Sequence, residues 1–156
     1  MQVGDVLLAK DGNTLGITNI VEELPSAATV NSSIAVIRPS ENLNSKYLYY
    51  YLLTNYIQHI IQRFKDGMGV PHLFQKDINK FYIVKPSMEV QEKIVEYLEP
   101  KIQQIDKMVL KSQEIINKLK EYRQSLITEV VTGKIDVRDE PEAMMEPHET
   151  ERNEGE

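Results

Sequence analysis

The chain has 156 residues, 18 Lys and Arg against 24 Asp and Glu, a formal net charge of −6 and no cysteine. That length suits one modest core with an appendage, and the lack of cysteine excludes disulfides and thiolate metal sites and fits a reducing, cytoplasmic setting. No apolar run reaches about eighteen residues and no basic segment precedes a long apolar stretch, so neither a membrane span nor a secretory signal is predicted.

The charge is unevenly placed. Residues 139–156 carry eight of the 24 acids against Arg152 alone, which leaves residues 1–138 nearly neutral. Acids and prolines at this density cannot bury enough surface to order a segment, so residues 136–156 are expected to be a disordered acidic tail.

Residues 1–87 read as mixed α/β (α+β). Residues 3–9 (VGDVLLA) form a short apolar strand pattern, ended by the turn signal Lys10-Asp11-Gly12-Asn13. Residues 16–21 can return as the second arm of a hairpin, and residues 33–38 give a third strand stopped by Pro39. Ser45 is the expected N-cap of one helix reaching about residue 64. Its apolar face is Leu53, Ile57, Ile60, Ile61 and Phe64, and Tyr47, Tyr50, Tyr51 and Tyr56 can cover the core edge or stack on bases. Gly67, Gly69 and Pro71 mark a loop with special backbone demands. A helical turn at residues 73–78 and a strand at 81–84 then lead to Pro86, with Ser87 as the N-cap of a long helix.

Residues 88–135 carry a heptad seam. Steps of four and three select Gln91, Val95, Leu98, Ile102, Ile105, Val109, Ser112, Ile116, Leu119, Arg123, Leu126 and Val130, nine of twelve apolar. A narrow stripe sustained this long calls for another long helix, and Ile102, Ile105, Val109, Ile116, Leu119 and Leu126 are the pairing residues it predicts. Pro100 lacks an N–H and crowds the preceding turn, so the segment is expected either to kink there or to divide into a short helix of about 88–98 and a longer one of about 100–132. Thr132-Gly133 marks the end through a left-handed cap. At 1.5 Å per residue, residues 101–131 span roughly 46 Å.

Chemistry is sparse in this pattern. Of the three histidines, His59 and His72 fall in the foldable part without HxxxH or HExxH spacing, so no metal site is predicted. No G-x-S-x-G elbow, P-loop or dinucleotide fingerprint occurs, and the Glu22-Glu23 pair sits in a polar loop. For nucleic acid, Lys10, Asn13 and Thr14 in the first turn, and Lys65 and His72 beside the glycine loop, supply groups that can bind phosphate or base edges. A rival reading is a protein-interaction module, a small domain with a dimerising coil and no autonomous DNA binding.

The run VPHLFQKDINKFYIVKPSMEVQEKIVEYL at residues 70–98, followed by KIQQIDK and IINKLKEYRQSLITEVVTGKI, resembles the specificity subunit of type I restriction-modification enzymes. The resemblance extends upstream through GDVLL, DG, SSIAVIRP and YLYYYL, and so covers residues 4–135. It implies a partial target recognition domain at 1–87, which contacts one half-site of double-stranded DNA, and a helical spacer at 88–135. The spacer would pair with a second spacer helix, either in a homodimer or with another specificity chain, and would seat the modification (methyltransferase) subunits. About 46 Å of helix matches roughly 13 or 14 base pairs at 3.4 Å each. The resemblance further implies a non-catalytic chain that binds no cofactor itself. S-adenosylmethionine, ATP and magnesium would sit on the modification and restriction subunits, the latter reached through the complex. With one helix and part of one domain, the chain reads as a C-terminal fragment or half-subunit. The family commonly has an acid before the glutamine where the spacer begins, whereas here Val90 precedes Gln91, which predicts the loss of a local capping contact.

Overall fold

The alternation at the start of the chain sets the sheet: Val6 and Leu8 point to one face and are fully buried, as half-buried strands require. The computed structural model describes residues 1–64 and 71–138. Strand β1 (Val6–Ala9) lies between β2 (Thr18–Ile20) and β3 (Ile34–Ile37), antiparallel to both. Val6 sits opposite Ile20 on one side and Ile37 on the other, and Leu8 opposite Thr18 and Ala35. The expected hairpin and third strand are present, each shorter than the apolar pattern that announces it. Gly16 closes the hairpin with φ +90°, and a Cβ there would come within 3.1 Å of both Gln58 Oε1 and Ile61 Cγ2. Backbone freedom and close packing both demand glycine at this position.

Ahead of β1, Asp5 is 1% exposed. It accepts from Arg38 Nε at 2.7 Å, from Arg38 Nη2 at 2.8 Å and from the Gln2 N–H at 2.7 Å. This fork joins the start of the chain to the residue after β3 and satisfies a carboxylate that burial alone would penalise.

The single helix expected from Ser45 to about residue 64 is two: α1 (Ser45–Leu52) and α2 (Asn55–Gln62). Asn44, not Ser45, is the cap of α1. Its side chain accepts from the N–H groups of Lys46 and Tyr47 at 2.9 and 3.0 Å, and Ser45 is the first helical residue. Thr54 is extended and caps α2, which interrupts the run. The break lets two short apolar faces reach one core: Leu48 and Leu52 from α1, Ile57 and Ile61 from α2, with Val6, Leu8, Leu15 and Leu73. Burial of each such side chain contributes about 1.5–3 kcal/mol. Leu53, placed on the apolar face by a one-helix reading, falls at the break and is exposed. Tyr47 is buried and its hydroxyl donates to the Val84 carbonyl at 2.6 Å, so this tyrosine covers the core.

After the short helix α3 (Gln75–Ile78), residues 81–84 are irregular rather than a strand. Phe81 and Ile83 pack against the core and Tyr82 and Val84 face out. The period of two reports which side is buried, and among the described residues no strand pairs with it.

Pro100 does not divide the long helix. α4 runs from Met88 to Val131 with Pro100 inside, in place of the two helices expected around 98–100. Proline's fixed φ is helical, and the Glu96 carbonyl it leaves without a donor is on an exposed residue where water can serve. Gly133, at φ +72°, ends the helix as expected. Its N–H donates to Val130 O at 3.1 Å and that of Lys134 to Glu129 O at 2.8 Å, the paired bonds of a Schellman motif. The chain divides into a compact unit of Met1–Gln103 and a second that begins at Gln104, so the first unit includes the start of α4. Among the described residues, no helix is long and apolar enough to cross a membrane.

Candidate functional site

Two segments far apart in sequence meet at one end of the sheet. Beyond β1, Lys10 and Asp11 lead into a 3₁₀ turn, Gly12–Thr14. The Gly12 N–H donates to the Pro71 carbonyl at 3.0 Å and the Leu73 N–H to the Lys10 carbonyl at 2.8 Å, and Asp11 and His72 form an antiparallel bridge. Leu73, fully buried, anchors this second segment in the core. Four of the sequence-predicted DNA contacts, Lys10, Asn13, Thr14 and His72, are therefore brought to one place. Lys65 and the glycine loop before Pro71 lie outside the described residues.

The four are not equally available. Asn13 and Thr14 are exposed, whereas Lys10 and His72 are half-buried. The Lys10 N–H donates to Ser33 O at 2.9 Å, and the Thr14 hydroxyl folds back to donate to Asp11 O at 3.1 Å. His72 Nδ1 is in hydrogen-bond contact with the Asp11 carboxylate. The side chain of Ser33 and then that of His72 hold this carboxyl below the usual carboxylate range. His72 is thus partly occupied as a linker between the two segments. Its ring meets Phe74 edge to face, with centroids 4.3 Å apart, and Lys76 Nζ stands 5.2 Å from the Phe74 ring. Phe74 is exposed, and neither it nor Lys76 stood out in the sequence. The Phe74-x-Lys76 spacing beside His72 was the available signal. Lys10, Gln75 and Asn79 also line an open cleft of about 510 Å³ along β3. The end of the sheet can therefore offer amide, ammonium and aromatic contacts to a nucleic acid. Among the described residues, no cluster of three His, Cys, Asp or Glu side chains could hold a metal.

The helical seam is built differently along its length. Gln91 is fully buried and Val95 nearly so. Gln91 Oε1 accepts from the Asn44 N–H at 2.9 Å, and Nε2 donates to the carbonyls of Pro86 at 2.8 Å and Asn42 at 3.2 Å. The Val90 departure has not cost this glutamine its anchoring. An ion pair between Lys46 and Glu99 adds to the attachment. Of the six predicted pairing residues, Ile102 is half-buried, and Ile105, Val109, Ile116, Leu119 and Leu126 are 39% to 60% exposed.

A family model described as the type I restriction modification DNA specificity domain matches residues 2–121. The chain belongs to that family. This type I specificity domain also matches a chain in a solved structure, described as giving the structural basis of complex assembly and conformational transition of the type I R-M system. The match has a TM-score of 0.64 and 26% identity over 83% of this chain. This specificity domain spans 30% of the matched chain's length. No curated protein matches its sequence.

Proposed function

We propose that this type I specificity domain is a non-catalytic DNA-reading element of a restriction-modification complex. The end of the sheet at Lys10, Asn13, Thr14 and His72, with Lys65, contacts one half-site of double-stranded DNA. The seam of α4 pairs with a second spacer helix, from another copy or another specificity chain, and the helix seats the modification subunits. S-adenosylmethionine, ATP and magnesium belong to the modification and restriction subunits. The observation that carries this reading is the family match across both the sheet domain and most of α4, together with the convergence of the Asp11–Thr14 turn and the Pro71–Leu73 segment at one edge. The coiled-coil pairing of α4 is part of the same proposal, and residues 139–156 of the expected acidic tail lie outside the described residues.

A second reading, an interaction module without autonomous DNA binding, draws support from Asp11, whose carboxylate sits within the candidate interface. Duplex titration at increasing salt separates the two. DNA recognition predicts affinity that falls steeply with salt, a slope reduced by about one in Lys10→Ala, and a loss of about 1–3 kcal/mol of sequence discrimination in Asn13→Ala. No duplex binding at low salt, by the chain alone or with a modification subunit, sinks the DNA reading.

A further inference from the structure

After the buried anchor Leu73, the chain from Phe74 to Lys80 shows solvent one kind of surface. Phe74, Gln75, Lys76, Asn79 and Lys80 are exposed, and Ile78 packs against the core. Asp77, the one acid in this run, has a side chain only 11% exposed and pairs with Lys80 at 3.4 Å. What remains outside is two amides, two ammonium groups and an aromatic ring, the groups that read base edges and hold phosphates. The start of α4 offers the opposite, with Glu89, Glu92 and Glu96 exposed.

The backbone of α3 sets the two amides. The Asn79 N–H donates to the Gln75 carbonyl at 3.0 Å, so the helical bonding runs into the cap and residues 75 and 79 stand on one face, about 6 Å apart. Both line the cleft of about 510 Å³ along β3, together with Lys10 and Ser32. The amides of Gln58 and Gln91 are spent on backbone carbonyls inside the fold. Those of Gln75 and Asn79 are exposed and have no hydrogen-bond partner among the described residues. Phe74 stands beside them, its ring met edge to face by His72 and flanked by Lys76.

We infer that α3 is a base-reading element of the domain: Gln75 and Asn79 each form a pair of hydrogen bonds with an adenine edge in the major groove, and Phe74 lies against a thymine methyl. The inference rests on the DNA reading proposed above and names the bases that are read. An amide matches adenine because its oxygen accepts from N6 while its NH₂ donates to N7. A guanine edge presents two acceptors and a cytosine edge a donor alone, so neither gives one amide both bonds. At a rise of about 3.4 Å per base pair, 6 Å spans fewer than two steps, which places both A·T pairs within three consecutive base pairs. Lys76 and Lys80, with Lys10, take phosphates and add affinity without sequence information.

Selection of binding sites from a random duplex library, by the full chain in complex with a modification subunit, tests the assignment. The wild type should return two A·T pairs within three consecutive base pairs. Gln75→Ala and Asn79→Ala should each erase the preference at one of them, a loss of about 5- to 150-fold in discrimination, with affinity for unrelated duplex unchanged. Lys76→Ala should do the reverse, keeping the selected sequence and lowering the salt slope by about one. Gln75→Glu gives a sign that no folding defect imitates. A glutamate accepts from cytosine N4, so the adenine at that position should be replaced by cytosine. Variants that bind duplex and return the wild-type sequence overturn the inference and leave the DNA reading standing, as does a wild-type site without the two A·T pairs. A wild-type complex that binds no duplex at low salt overturns both.

Discussion

The two ends of one seam do different work. At Gln91 and Val95 the heptad positions of α4 are buried within the first compact unit, and from Ile105 to Leu126 the same positions are exposed. A seven-residue repeat therefore does not by itself define a partner surface. It defines a helix face, and what covers that face changes along the chain. Gln91, polar and fully buried, belongs to the first regime because its amide satisfies Asn42, Asn44 and Pro86. Ile116, apolar and 44% exposed, belongs to the second.

The contrast can be broken most sharply in the exposed half. Ile105→Glu combined with Ile116→Glu should weaken self-association or spacer pairing by about 100-fold or more, since each buried Ile is worth about 1.5–3 kcal/mol. Light scattering across a dilution series reads the change. Circular dichroism should show the helix retained, because Glu is a good helix former, and the melting of the first unit should not move. A shift in that melting would mean that the exposed seam is also structural.

Gln91→Ala probes the buried half and should invert the pattern. It leaves one backbone N–H and two carbonyls without their partner in a buried setting, which costs about 1–3 kcal/mol. Denaturant unfolding should report that loss while the association constant stays within about threefold. If association falls as far as stability, the two halves are one cooperative surface and the distinction fails.

The smallest effect sharpens the first region alone. The Arg38 side-chain hydrogen bonds hold the Asp5 carboxyl below its ordinary value, against the burial that would raise it. Because the folded-state pKa lies below the unfolded one of about 3.9, the contribution is complete above about pH 4–5 and is lost as pH falls through the folded value. Asp5→Asn should lower stability at neutral pH and flatten its decline in acid. An unchanged acid limb would remove this pair from the account.

Much of this was legible locally. The hairpin, the third strand, the left-handed stop at Gly133 and the seam all follow from period, turn residues and glycine. The failures share a cause, since they depend on what stands across from a residue. Residues 81–84 alternate like a strand, but among the described residues no strand pairs with them. The helix break at Thr54 had a signal in the Thr54-Asn55 capping pair, overridden by the continuous apolar face on either side. Pro100 read as a kink or a break, and at an exposed position the helix continues through it because one missing bond is tolerated. The Asp5–Arg38 fork, the Asp11–His72 contact and the burial of Gln91 join residues 33 to 61 positions apart, beyond the reach of any local pattern. At the candidate DNA interface the sequence singled out Lys10, Asn13, Thr14 and His72, but the partial occupation of His72 and the neighbouring Phe74 and Lys76 had no local signal strong enough to show them.

The central claim is that this chain is the DNA-reading and spacing element of a type I assembly. Co-expression with the modification subunit of a type I system, with mass measurement and footprinting of the purified complex on duplex DNA, tests it most directly. The account predicts a stable complex containing this chain that protects two short half-sites separated by an unprotected spacer. A modification subunit that elutes without the chain, or a complex that leaves duplex DNA unprotected at low salt, would contradict it.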